Sequence, residues 1–294
     1  MKNMKDKRFI YVGNRYYVYK KMVQYNLNIV KAFAVRCSYL EEYLINNKIE
    51  FEYIDSKREL INMIKELEYD ILISGGCPYI LPVTELTKLK RDSKYINIHT
   101  SLLSDCKGRH PINAALLFGR KHGVTCHYMD DGIDTGDIIE QIEIPITDDV
   151  SLELLYKISF ITEADVFEKA LNNNFRVKKH INECVNTIYY TRNKQDYYIK
   201  TEDDVDMLFQ RVRAFSTKGQ YAKINIAGEI VEIKNVKLIS NPFVVNKYMS
   251  VDNNKVCVTY GNNILIKFQG ELLELETVNY GIKELSMLEK KKML

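Results

Sequence analysis

The chain has no C-x-x-C pair. Its six cysteines, Cys37, Cys77, Cys106, Cys126, Cys184 and Cys257, lie scattered over 294 residues. That spacing argues against a zinc ribbon or a dithiol redox motif and fits reduced thiols. Long apolar runs are also missing. No stretch reaches the roughly 18 apolar residues of a membrane span, and the opening MKNMKDKRFIYVGN lacks an apolar run of signal-peptide length. The expectation is a cytoplasmic protein with no membrane partner. Excess charge of one sign is small: the formal net charge of +3 leaves no electrostatic footprint for nucleic acid. The short run Lys290, Lys291, Lys292 reads as a frayed, solvated tail. His99, His110, His122 and His127 fit no zinc-ligand spacing, so no metal is expected, and His180 reads as surface. There is no internal repeat and no low-complexity segment.

What is present suits two domains. Hydrophobic residues at 46% and charged residues at 28% allow a sizeable core without disulfides. Short apolar runs at 9–12, 29–35, 51–54, 69–74 and 95–98 read as strands. Amphipathic stretches lie between them, such as 57–67, with Leu60, Ile61, Ile64 and Leu67 on one face. Alternating strands and helices predict an α/β fold with a doubly wound, mostly parallel sheet. Pro111 suits the first turn of a helix that Gly119 ends, 124–129 alternates like a strand, and Ser151 suits the N-cap of a long helix. After about residue 182 the character changes. Thr201 is expected to cap a helix carrying Val205, Leu208, Phe209, Val212 and Phe215, and everything beyond reads as strands with turns at Ala227-Gly228 and Gly261-Asn262-Asn263. The expected division is 1–182 for the catalytic domain and 183–294 for a smaller β-rich domain, a barrel in form.

The stretch from Ile96 to Ile139 carries the chemistry. Asn97 and His99 are two apart on a strand, so alternation puts both on one face, at the strand's C-terminal end where open α/β sheets bind ligands. The loop 100–108 can cover those ends. Asp134-Thr135-Gly136-Asp137 is a turn after the next strand, from which a carboxylate can reach a neighbouring strand end. An Asn, a His and an Asp together can stabilise an oxyanion, move a proton and orient the proton carrier.

Taken with Ser101-Leu102-Leu103, Gly108, Pro111, Gly123-Val124-Thr125 and His127, the segment resembles the catalytic core of the folate-dependent formyltransferases. The similarity in topology covers roughly residues 9–175. It continues more weakly through Arg192, Asp196 and Arg213-Ala214. The resemblance implies that Asn97, His99 and Asp134 catalyse formyl transfer from 10-formyltetrahydrofolate, with Asp137 the alternative carboxylate in a structural role. It also implies a pterin pocket. One wall is the loop Cys77 to Pro82, with Pro78, Tyr79, Ile80 and Leu81. The other is Asp130, Asp131, Gly132 and Ile133.

The acceptor is less sharply marked. Gly13-Asn14-Arg15-Tyr16-Tyr17 has a single Gly, unlike the phosphate loop of the glycinamide ribonucleotide enzymes. The stretch 36–48 is not basic, unlike the insertion of the tRNA enzymes. Gly108 to Asn113 and Cys126 to Asp130 look most like the sugar-nucleotide branch. That likeness implies a dTDP-linked 3- or 4-amino-dideoxy sugar as acceptor, for surface polysaccharide synthesis, with a homodimer as the assembly. Candidate acceptor contacts are Asn14, Arg15, Ser101, Lys107 and Arg109, the two basic residues 107 and 109 meeting a diphosphate at the mouth of the site. Two departures from the family pattern, Ser104 and Lys107, fall in the covering loop. The alternatives are a methionyl-tRNA formyltransferase, a hydrolase that releases formate, and a folate-core protein used only for binding.

Overall fold

The structure, a computed structural model, describes residues 4–181, 186–278 and 282–294. Cys184 and the expected border at 182/183 lie outside the described residues. The chain forms two compact units. One comprises Met1–Pro111, Lys121–Ile146 and Tyr156–Tyr190, and the other Ile112–Arg120, Thr147–Leu155 and Thr191–Leu294.

The first unit is built on strands β1 (Arg8–Gly13), β2 (Asn28–Ala34), β3 (Glu52–Tyr53), β4 (Ile71–Gly75), β5 (Lys94–His99), β7 (His122–Tyr128) and β8 (Ile138–Ile144), in the sheet order β3-β2-β1-β4-β5-β7-β8. The first five strands pair in parallel and the last two antiparallel. This is the mostly parallel sheet that the sequence predicts. The intervening helices are α1 (Tyr17–Gln24), α2 (Tyr39–Asn46), α3 (Lys57–Glu66) and α4 (Val83–Leu89); of the next two, α5 (Pro111–Leu117) belongs but for Pro111 to the second unit, and α6 (Leu152–Asn172) belongs to the first from Tyr156 on. Ser38 and Ser56 cap α2 and α3 by accepting from Glu41 N and Glu59 N. Ser151 Oγ accepts from Leu154 N at 3.2 Å, as the sequence predicts.

Strand alternation sorts the core into two layers. Phe9, Tyr11, Ile71, Ile73, Ile96 and Ile98 pack with Val18, Met22, Leu40, Leu44, Val166 and Phe167 of α1, α2 and α6. Ile10, Val12, Leu72 and Tyr95 pack with Leu60, Ile64 and Leu86 of α3 and α4. Each such side chain contributes about 1.5–3 kcal/mol on burial. Because Ile96 and Ile98 are claimed by the first layer, Asn97 and His99 must face the other side. Val124 and Cys126 also belong to the first layer, which turns Thr125 and His127 of β7 to the same face as Asn97 and His99. A two-residue strand β6 (Cys106–Lys107) pairs in parallel with β9 (Ile188–Tyr189). The Leu103–Ser104 peptide in the loop before β6 is cis.

In the second unit, α7 (Val205–Ala214) is followed by strands β10 (Ser216–Thr217), β11 (Gln220–Ile226), β12 (Glu229–Leu238), β13 (Lys255–Tyr260), β14 (Asn263–Phe268) and β15 (Glu271–Thr277), in the order β10-β11-β12-β15-β14-β13. Two helices, α8 (Pro242–Tyr248) and α9 (Ile282–Ser286), complete it.

Three expectations need correction here. The cap of α7 is Asp204, whose carboxylate accepts from Met207 N at 2.7 Å, and not Thr201. The intervening Asp203 is used up by Lys200 N and by Arg211. The run of strands is broken by α8, where Asn241 accepts from Phe243 N and Val244 N and Pro242 fills the first turn. The lysine run near the end is no frayed tail. Lys292 bridges Lys255 of β13, and Met293 bridges Ile226 of β11. The last segment thus joins the two sides of the sheet and closes it into a barrel.

Candidate active site

The structure brings Asn97, His99 and Asp134 together. Asn97 and His99 end β5, and Asp134 sits in the β7–β8 loop with φ 52°. Gly136 makes that loop possible: a Cβ there would lie 2.0 Å from Tyr128 O. The Asn97 amide nitrogen Nδ2 is 3.2 Å from His127 Nε2 and 3.4 Å from Asp134 Oδ1. His99 Nε2 is 3.2 Å from the Cys106 carbonyl oxygen and 3.6 Å from Asp134 Oδ2. Gly108 N–H donates to Asp134 Oδ2 at 3.0 Å. One strand, β6, and the residue after it therefore supply a carbonyl to the histidine and an amide to the aspartate. Gly108 has φ 98°, and a Cβ on it would meet Tyr190 O at 2.6 Å.

Protonation states follow from partners. His127 Nδ1 lies 2.7 Å from Tyr128 O. A carbonyl only accepts, so Nδ1 carries the hydrogen. Burial pushes His127 down to about 4, although Asp134 pulls the other way. The ring is therefore neutral near pH 7, and its 3.7 Å approach to Asp134 is not an ion pair despite the short distance. Nε2 then holds a lone pair and accepts from Asn97. The second Asn97 hydrogen points at Asp134, and these two acceptors fix the amide orientation. His99 Nε2 faces a carbonyl, so it too carries a hydrogen. Burial raises the Asp134 carboxyl, but His99, His127, the Gly108 N–H and Lys107 together hold it below the usual carboxylate range. Asp134 stays ionised and is a poor proton acceptor. Its role is to hold and orient its neighbours.

The two expected pterin walls are tied to each other. Asp131 Oδ1 accepts from Thr84 N at 3.0 Å, joining the 130–133 loop to the start of α4. Asp130 accepts from Gly132 N at 3.0 Å and Thr135 Oγ1 at 2.5 Å, closing its own loop. Pro78 is exposed and Tyr79 half-buried. Ile80 and Ile133 are both large, exposed apolar groups, one on each wall, whereas Leu81 is buried in the α3/α4 layer. The 77–82 loop holds no charged side chain. An apolar pair flanked by backbone polar groups fits a flat heteroaromatic ring.

The acceptor candidates are less uniform. Asn14 and Arg15 line a cavity of about 770 Å³ with Arg36, Tyr39, Glu42 and Phe160. Arg15 is committed: Nε donates to Glu163 Oε2 at 2.9 Å, NH2 approaches Oε1 at 2.8 Å, and NH2 donates to Ile98 O at 3.3 Å. The short contact outweighs the absence of a well-aligned hydrogen bond at Oε1. Ser101 is buried, and its Oγ donates to Cys106 O at 2.5 Å. Lys107, expected at the mouth of the site, is fully buried, with Nζ 3.3 Å from Tyr189 Oη. Arg109, beyond the end of β6, is exposed. His180 is exposed and meets Asp137 at 2.9 Å. Among the described residues no group of three or more His, Cys, Asp or Glu could hold a metal ion, and no helix is long and apolar enough to cross a membrane.

The pairing of His127 with Asn97 and that of Glu163 with Arg15 are seen only in the structure. One trace of the first is in the sequence: Thr125 and His127 repeat the spacing of Asn97 and His99, and the two strands are adjacent.

The family model described as formyl transferase matches residues 33–171. A methionyl-tRNA formyltransferase of Syntrophomonas wolfei is 28% identical over 224 residues, covering 74% of this chain and 69% of the relative. WlaRD, a sugar 3N-formyl transferase solved in the presence of dTDP and 5-N-formyl-THF, superposes with a TM-score of 0.69 at 20% identity, covering 94% of this chain and 99% of the other. An N-formyltransferase from Helicobacter canadensis, in complex with folinic acid and dTDP-3-aminofucose, gives a TM-score of 0.69 at 20% identity, with coverages of 92% and 99%. The chain is thus similar to the formyl transferases over residues 33–171, the stretch that holds Asn97, His99 and Asp134.

Proposed function

We propose that this protein is a sugar-nucleotide N-formyltransferase. It moves the formyl group of 10-formyltetrahydrofolate to the amino group of a dTDP-linked 3- or 4-amino-dideoxy sugar, for surface polysaccharide synthesis, as a cytoplasmic homodimer. Residues 1–182 carry the chemistry, and 183–294 serve dimer contacts or acceptor binding.

The observation that carries this reading is the convergence of Asn97, His99 and Asp134 within hydrogen-bond or ion-pair reach. The amine nitrogen bonds to the formyl carbon, and the bond from that carbon to the folate nitrogen breaks. Asn97 exchanges its long contact with Asp134 for the oxygen that becomes negative. His99 carries the amine proton to the leaving nitrogen. Asp134 remains ionised and stabilises the imidazolium formed on the way. Ile80 and Ile133, with Pro78, Tyr79, Leu81 and 130–132, form the pterin site. On the acceptor side, Arg109 is the exposed cation. Asn14 and Arg15 shape the cavity after β1, and Ser101 and Lys107 act from beneath the surface.

The solved sugar formyltransferases cover nearly the whole chain, which supports the acceptor class. The named curated relatives favour a second reading, methionyl-tRNA formyltransferase. Against it, α2 presents Glu41 and Glu42 and no basic residue, a poor surface for a phosphate backbone. Incubation with 10-formyltetrahydrofolate and either dTDP-amino sugars or methionyl-tRNA decides between them. Tetrahydrofolate release with the sugar alone supports the proposal, and release with the tRNA alone overturns it.

A further inference from the structure

The β7 motif Gly123-Val124-Thr125 marks the family resemblance, yet the chemistry above leaves Thr125 without a task. Thr125 stands directly opposite His99 in the β5/β7 register and is fully buried. Its hydroxyl is saturated. Oγ1 donates to Ser101 O at 2.6 Å and accepts from Leu103 N at 3.1 Å and from Gln141 Nε2 at 2.9 Å. Gln141 Nε2 also donates to Leu103 O at 2.9 Å. Two side chains thus pin the backbone of residues 101–103 at three points. The same loop ends at Cys106, whose carbonyl takes Ser101 Oγ at 2.5 Å and faces His99 Nε2 at 3.2 Å.

From this geometry we infer that Thr125 is a positioning residue for His99: with Gln141 it holds the 101–106 loop so that the Cys106 carbonyl selects the Nε2–H tautomer of the catalytic imidazole. Thr125 touches no reacting atom. It acts through Ser101 and Cys106. Replacing this buried hydroxyl by a methyl leaves Ser101 O and Leu103 N without their partner and Gln141 with only its bond to Leu103 O. Released from that hold, the loop carbonyl shifts by tenths of an ångström. The His99 ring then loses the acceptor that defines its tautomer. The inference rests on His99 acting in formyl transfer, but its first test does not.

The test compares Thr125→Val and Thr125→Ser by nitrogen NMR of the imidazole rings. The chain has five histidines, and His99 is assigned by its loss in His99→Ala. We expect His99 to hold mainly the Nε2–H form in the parent and in Thr125→Ser, and to average between tautomers in Thr125→Val. An unchanged His99 spectrum in folded Thr125→Val overturns the inference, whatever the activity proves to be. Should Thr125→Val fail to fold, Gln141→Met removes two of the same bonds and is expected to shift His99 in the same direction. An unmoved His99 there is equally contrary. Kinetics then provide the second readout. The valine variant is expected to lose at least about tenfold in kcat, with KM for the folate donor within about twofold, and serine is expected to restore kcat. Equal loss in the serine and valine variants contradicts a role for the hydroxyl.

Discussion

The side-chain amide of Asn97 donates to Nε2 of His127 at 3.2 Å, across the antiparallel pair β5 and β7. That bond exists only while His127 is neutral. The tautomer is fixed one step further out, by the Tyr128 carbonyl. A buried ring outside the trio thus decides which end of the Asn97 amide faces the trio.

A pH dependence follows from His127. Burial lowers it from the ordinary 6.5 to about 4, so the unfolded chain takes up its proton first as pH falls. Its contribution to stability is therefore complete above about 6.5 and is lost as pH falls towards 4. The loss amounts to roughly 3 kcal/mol. Replacing it by Gln, which still offers an oxygen to Asn97, removes this slope. Urea denaturation of parent and His127→Gln at several pH values measures it, and parallel curves between pH 6.5 and 4 contradict the assignment. His122, also buried and also lowered to about 4, contributes a second slope in both proteins and cancels in the comparison.

Arg15, half-buried at the cavity wall, pairs with the fully buried Glu163 beside β5. Burial raises the Glu163 carboxyl to about 7 from its ordinary 4.5, with Arg15 pulling it down. A raised carboxyl favours the folded state below 4.5, and that advantage fades as pH rises through about 7. Glu163→Gln is expected to flatten this fall. Glu163→Ala leaves a guanidinium without its partner and is expected to cost about 3–5 kcal/mol. Thermal and urea melts of the two variants check both statements; an Ala variant as stable as the parent is the contrary result.

The closing segment of the second unit makes a separate prediction. Five backbone bonds, donated by Ala227, Val256, Lys290, Met293 and Leu294, tie residues 290–294 to 225–227 and 254–256, and Met293 is buried. At about 1 kcal/mol each, removal of these residues is expected to destabilise the second unit by roughly 5 kcal/mol. It also exposes the edges of β11 and β13, so self-association is expected to rise. Light scattering and melting of the truncated protein test this. An unaltered melt shows that the segment contributes nothing.

Much of the fold is legible in the sequence, because alternation and amphipathic spacing are local properties. The strands and the face shared by Asn97 and His99 follow from Ile96 and Ile98 being needed in the core. What escapes is set by tertiary partners. Lys107 looks like a surface cation until β6 pairs with β9 and turns it inward. Lys290 to Lys292 are exposed as expected but look frayed until their backbone finds β11 and β13. Thr201 looks like a cap because Asp203 and Asp204 cannot be assigned their partners, Arg211 and Met207 N, from composition. Glu163 reads as one charge in a long helix until Arg15, 148 residues away, meets it.

The most direct measurement is single-turnover formyl transfer from 10-formyltetrahydrofolate to a dTDP-amino sugar by the parent, Asn97→Ala and His99→Ala, each first shown to melt as a folded protein. Transfer by the parent is expected, with at least about a hundredfold loss in either variant, the scale of one lost oxyanion donor. Near-parental turnover in both folded variants contradicts transfer through Asn97 and His99.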